Sequence, residues 1–130
     1  MSHVTHFNDV VDGLSEPWSP RVLAQVNDHF VKVAKVEGEF TWHAHENSDE
    51  MFWVIEGELV IEYEDSTVAL GPGDLHVVPR GKRHRPRADN ECKIVLVEAA
   101  ETKHTGAEVT AHTKTIEEQL VGFRSGQDGQ

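Results

Sequence analysis

Nine histidines stand in a chain of 130 residues. Two of them lie one residue apart in Trp42-His43-Ala44-His45. On an extended strand residues i and i+2 project to one face, roughly 6–7 Å apart, so two imidazoles can converge on one ion. On a helix the same pair would diverge. Glu50 follows five residues after His45, and an odd offset on a continuous strand would point it away. The intervening Glu46-Asn47-Ser48-Asp49 is turn-rich, however, and a turn resets the parity, so Glu50 can open the next strand and reach the same ion. Imidazole nitrogen with carboxylate oxygen suits iron, manganese, cobalt, nickel, copper or zinc, and not calcium. The competing reading is two solvated strand histidines. Phe40, Trp42, Phe52 and Trp53 weigh against it by offering the pair an apolar shell.

The elements that must position these groups read as short strands. Asn8 is placed to cap a short helix through Asp9-Val10-Val11-Asp12, which Gly13 ends. Ser15-Glu16-Pro17-Trp18-Ser19-Pro20 breaks regular structure, with Trp18 expected to anchor the arm on the surface of the fold. The period then becomes two: Arg21 to Val26 and His29 to Val36 form a hairpin about Asn27-Asp28. Met51 to Glu56 is nearly all apolar and reads as a strand covered on both faces. Glu58 to Glu64 alternates, with Leu59, Ile61 and Tyr63 on one side. Thr67 to Leu70, Asp74 to Val78 and Lys93 to Val97 complete a set of about eight strands. Regular short strands with Gly/Pro turns indicate an all-β sandwich or barrel. Thr102 to Thr115 is polar, Ile116 to Leu120 offers a helical turn, and Ser125 to Gln130 reads as disordered.

Composition excludes several classes. A single domain is expected at this length. Twelve basic against 23 acidic residues give a net charge of −11, which disfavours general nucleic-acid binding. No apolar run approaches a spanning helix, and the N-terminus shows no secretory signal, so the cytoplasm is the expected compartment. Cys92 is the sole cysteine and reads as a buried structural thiol.

Two longer patterns carry a resemblance. Gly38, four residues, His43-Ala44-His45, four residues, Glu50, six residues and Gly57 resemble the first motif of the cupins. Gly73, five residues, Pro79-Arg80-Gly81, two residues and His84 resemble the second. The chain looks like a small single-domain cupin, of the kind labelled mannose-6-phosphate-isomerase-like. It departs from the pattern by one residue fewer between Gly38 and His43, and by Ala88 where an Asn often closes the second motif. The likeness implies a jelly-roll barrel over about residues 22–99, with an irregular arm over 1–21 and a polar tail over 100–130. It implies that His43, His45, Glu50 and His84 hold one divalent transition metal.

Other residues are candidates with competing readings. His76 either faces the cavity as a proton carrier or alternates outward with Leu75 and Val77. Phe40, Met51 and Tyr63 line the pocket or serve as plain core. Arg80 to Arg87 holds five of the twelve basic residues; Arg85 or Arg87 could grip an anionic substrate, or the run is a solvated loop or faces a second subunit. His3, His6, His29, His104 and His112 are read as surface. The expected function is a metal-dependent enzyme, dioxygenase or isomerase in type, acting on a small oxygen-rich metabolite. The alternative is a non-catalytic sensing or metal-stabilised module. A homodimer is expected, since a bare sheet edge needs cover.

Overall fold

The computed structural model describes residues 4–100 and 116–120. His3, the polar segment Thr102 to Thr115 with its two histidines, and the end Ser125 to Gln130 lie outside the described residues. Seven strands make the body: β1 (Arg21–Val26), β2 (His29–Glu39), β3 (Glu50–Glu56), β4 (Leu59–Tyr63), β5 (Thr67–Leu70), β6 (Leu75–Val78) and β7 (His84–Ala99). Two short helices, α1 (Phe7–Val11) and α2 (Ile116–Gln119), flank them. All pairings are antiparallel, in the order β1-β2-β7-β3-β6, with β4 joining β7 to β5.

The organising element is β7. Its first half pairs with β4, placing His84 opposite Tyr63. Its second half lies between β2 and β3, with Ile94 opposite both Ala34 and Val54. Only its apolar end, Lys93 to Val97, is legible in the sequence as a strand. Arg85 to Asn90 is too polar to read as one, yet it pairs because alternate residues His84, Pro86 and Ala88 turn inward and are buried. The basic run is therefore divided: residues 80–83 lie outside the strands, and from His84 onward the run is strand.

Strand alternation builds the core. Ala34 and Val36 of β2, Phe52 and Val54 of β3, Leu59, Ile61 and Tyr63 of β4, and Ile94 and Leu96 of β7 all face inward. Cys92 is fully buried among them, and burial, then the charges of Glu56 and Glu58, push its thiol up to about 11. Gly57 turns β3 into β4 at φ 92°. A Cβ there would stand 2.9 Å from the Glu91 carbonyl oxygen and 3.0 Å from Cys92 Cα, so both the turn and the close approach require glycine.

Three expectations need correction. The first helix begins at Phe7 with His6 at its cap and no side-chain capping bond, so Asn8 lies inside it. The strand Glu50–Glu56 is covered on one face only: Trp53 is 39% exposed, because the outer face of the β3–β6 pair, with Leu75 and Val77, stands open to solvent. Seven strands, not eight, occur among the described residues.

The arm packs on the strands as expected, but Trp18 goes deeper than the surface position expected of it. Val11 and Leu14 bury against Val33 on the outer face of β2. Trp18 joins the main core and stacks on Phe40 with centroids 4.8 Å apart. It holds a left-handed φ of 60°, which a bulky residue adopts only when its surroundings fix it. Its backbone N–H donates to Lys35 O at 2.9 Å and its indole N–H to Glu37 O at 2.8 Å. Among the described residues no helix is long and apolar enough to cross a membrane.

Candidate metal centre

The two motifs meet through the backbone before they meet through side chains. β2 ends at Glu39, and His43 is extended only as an isolated bridge to His84. The expected continuous strand for the His-x-His pair is absent; the pair sits in a loop stitched to the second motif. His43 N–H donates to His84 O at 3.0 Å, and His84 N–H returns a bond to His43 O at 2.9 Å. Gly81 N–H donates to His45 O at 2.7 Å. Arg80 N–H donates to Asp49 Oδ1 at 2.9 Å. The turn does reset the parity, and Glu50 opens β3 facing inward.

The result is one buried cluster. His43, His45, Glu50 and His84 each offer a ligand atom, and these atoms lie within 4.8 Å of one another. His45 Nε2 stands 3.2 Å and His84 Nε2 3.5 Å from Glu50 Oε1. None of these three atoms has another hydrogen-bond partner, although all are buried. Such groups are costly unless a proton or a cation lies between them.

The imidazoles are oriented for a cation. His43 Nδ1 lies 2.8 Å from Thr41 O, and His84 Nδ1 lies 2.9 Å from Lys82 O. A carbonyl only accepts, so each Nδ1 carries the proton and each Nε2 presents its lone pair to the cluster. Burial, then the charge of His84, lowers His43 to about 4, keeping it neutral. Burial also opposes the charged form of His45, but the hydrogen bond and charge of Glu50 outweigh it and raise its value. Burial works against ionised Glu50 as well, yet His45, His84 and Glu98 hold its carboxyl well below the usual range. The donor set, its orientation and its orphaned atoms fit a divalent transition metal.

Two buried charges escaped the sequence reading. Lys32 and Glu98 are both fully buried, with Lys32 Nζ donating to Glu98 Oε1 at 2.7 Å. Lys32 shares the inward parity of β2 with Phe30, Ala34 and Val36, and Glu98 that of β7 with Ile94 and Leu96. That a charge sits on the apolar parity of each strand is the signal that could have found them. Burial, then the charge of Glu50, pushes the Glu98 carboxyl up.

The remaining candidates divide. Phe40 sits edge-on to His43 with centroids 5.4 Å apart. With Trp18, Pro20, Glu50 and Phe52 it bounds an interior cavity of about 30 Å³, room for about two water molecules. Tyr63 is buried, with its ring centroid 6.5 Å from that of His84. Its hydroxyl lies 2.7 Å from His76 Nε2. His76 is more sheltered than Leu75 and Val77, which are 57% and 45% exposed. Burial, then the charges of Lys82 and His84, lowers the His76 value. Met51 is set on the opposite face of β3 from Glu50, Phe52 and Val54 and is not brought to the cavity. Arg85 alternates with inward His84 and is likewise outside it. Its guanidinium meets Glu62 at 3.0 Å and Glu39 at 3.2 Å and lies over Trp42.

Fold and site together define a cupin barrel with a potential metal centre. Residues 29–98 match the family described as cupin domain, and the chain belongs to that family. It is 37% identical over 89 residues to the uncharacterized protein YdbB of Bacillus subtilis, covering 68% of this chain and 79% of that one. It is similar to the crystal structure of a cupin-2 domain containing protein from Shewanella frigidimarina, with 46% identity, a TM-score of 0.72 and coverage of 74% and 94%. For the fold alone, hydroquinone 1,2-dioxygenase from Sphingomonas sp. TTNP3 with 4-hydroxybenzoate bound matches at 13% identity and a TM-score of 0.62, covering 73% and 72%.

Proposed function

We propose that the chain is a metal-dependent enzyme of dioxygenase or isomerase type, acting on a small oxygen-rich metabolite. The observation that carries this reading is the set of orphaned buried atoms on His45, Glu50 and His84, aimed with His43 at one point. These four residues would hold a divalent transition metal, which when bound would supply Lewis-acid polarisation to carboxylate, enol or hydroxyl oxygens of the substrate. His76 and Tyr63 form the proton-carrying pair beside His84: the imidazole accepts or returns a proton through the phenol hydroxyl. Phe40 and Phe52 give the cavity an apolar wall. Trp18 and Pro20 of the N-terminal arm contribute to its lining.

The test is reconstitution of the apoprotein with Fe(II), Mn(II) and Ni(II) against a panel of hydroxy acids, enols and catechol-type compounds. Turnover that His45→Ala abolishes supports the enzyme. His76→Phe should lower turnover by about 10²–10⁴-fold with metal content unchanged; an undiminished rate would remove His76 from the reaction. Tight ligand binding by the metal-loaded protein without turnover would instead favour a sensing module. The chain also pairs with a second copy in this reading, through the exposed apolar face of Trp53, Leu75 and Val77 on β3 and edge strand β6. Sedimentation showing a monomer at micromolar concentration would refute the pairing.

A further inference from the structure

We infer that Lys32, Glu98 and Gln119 form a positioning relay for the carboxylate of Glu50, which makes the C-terminal helix α2 a working part of the metal centre. The inference rests on the metal reading above and extends it to residues that need not touch the ion.

All three side chains are fully buried. They come from elements far apart in sequence: β2, the end of β7 and α2. Lys32 Nζ donates to Glu98 Oε1 at 2.7 Å and also to the side-chain oxygen of Gln119. Glu98 Oε2, equally buried, has no hydrogen-bond partner, and the β3–β7 register, with Met51 opposite Val97, sets Glu98 across from Glu50 on the same inward face. Glu50 in turn faces His45 and His84 through Oε1. The chain of contacts thus runs from α2 through the barrel interior to a candidate ligand.

Stability alone explains this arrangement poorly. A buried ion pair is often replaceable by apolar residues of similar volume without loss, and the surrounding positions on both strands are apolar. A carboxylate ligand, by contrast, needs an outer partner to fix its rotamer, and such partners set metal affinity. Lys32 supplies the fixed charge that holds Glu98, and Gln119 occupies another of the ammonium donors. Gln119 lies beyond residue 98, where the family match ends, so this part of the relay is an addition carried by the chain's own C-terminal segment.

The test uses the full-length protein and Co(II) alone as probe. Affinity is read by chelator competition, ligand geometry from the visible absorption of the bound ion, and folding from the apoprotein melt. Glu98→Leu and Gln119→Leu should each weaken Co(II) binding about ten- to a hundredfold and shift the absorption bands. Glu98→Gln, which keeps an acceptor for Lys32 and a donor for Glu50, should stay within about threefold of wild type. Wild-type affinity and spectrum in a folded Gln119→Leu, with only the melt lowered, would overturn the relay and leave α2 a packing role. If Glu98→Leu fails to fold, Glu98→Gln and Gln119→Leu carry the decision. A wild-type protein that takes up no Co(II) would sink the metal reading and the relay with it, an outcome distinct from insensitive variants of a metal-binding protein.

Discussion

His84 and Arg85 are neighbours in the chain and opposites in circumstance. His84 turns into the barrel, is fully buried, and presents a nitrogen with no hydrogen-bond partner. Arg85 turns out, and its guanidinium is met by Glu39 and Glu62. The same contrast runs along the whole segment. Inward, the titratable groups are few, buried and incompletely satisfied. Outward, Arg80 and Arg87 are also engaged with carboxylates, Asp49 for the first and Glu62 and Asp89 for the second. Charge density therefore misleads about chemistry here. The conspicuous basic run is mostly surface already paired within its own chain, while chemical capacity lies with the atoms left unpaired in the interior.

That contrast can be broken by substitution on either face. The largest effect is expected from Glu50→Ala or His84→Ala. Loss of an outer partner already costs 10–100-fold in metal affinity, so loss of a ligand should exceed about 100-fold, read by chelator competition on a protein that still melts cooperatively. Next comes the core: Ile61, fully buried on the inward face of β4, should cost about 2–5 kcal/mol as Ile61→Ala, measured by denaturant unfolding. Metal affinity should also depend on pH. The value of His45 is raised, so on acidification a proton enters the cluster earlier than it would on a free imidazole, and it must leave when an ion binds. Affinity should then fall as pH drops below that raised value, by about tenfold per unit while one proton is released. A flat profile between pH 8 and 5.5 would contradict the shared site. The smallest effect belongs to the outer face: Arg85→Ala should leave metal affinity at the wild-type value and scarcely move Tm, since exposed ion pairs contribute little. A large loss of affinity there would dissolve the distinction between the faces.

Much of this was legible in advance because strand parity writes itself into the sequence. Leu59, Ile61 and Tyr63 alternate with polar neighbours and are buried in the structure as that pattern requires. The Asn27-Asp28 hairpin joins β1 to β2, with Val26 opposite His29. The resemblance to the two cupin motifs implies a cluster of four side chains, and the structure gathers the same four. The route was partly wrong, since His43 and His45 converge through a loop bridged to His84 rather than through a shared strand. The Lys32–Glu98 pair was missed because 66 residues separate its members, and a lone lysine or glutamate in a strand reads as solvated. Met51 was misjudged for a related reason: an apolar residue next to Glu50 looks like lining until the alternation of β3 sets it on the other face.

The central claim is that four side chains from two motifs enclose one cation. Anomalous diffraction from crystals of the protein loaded with Mn(II) or Zn(II) tests it most directly. The account predicts a single strong peak bounded by His43, His45, Glu50 and His84. Density showing Glu50 or His84 rotated away into solvent, with no peak between the imidazoles at saturating metal, would contradict it.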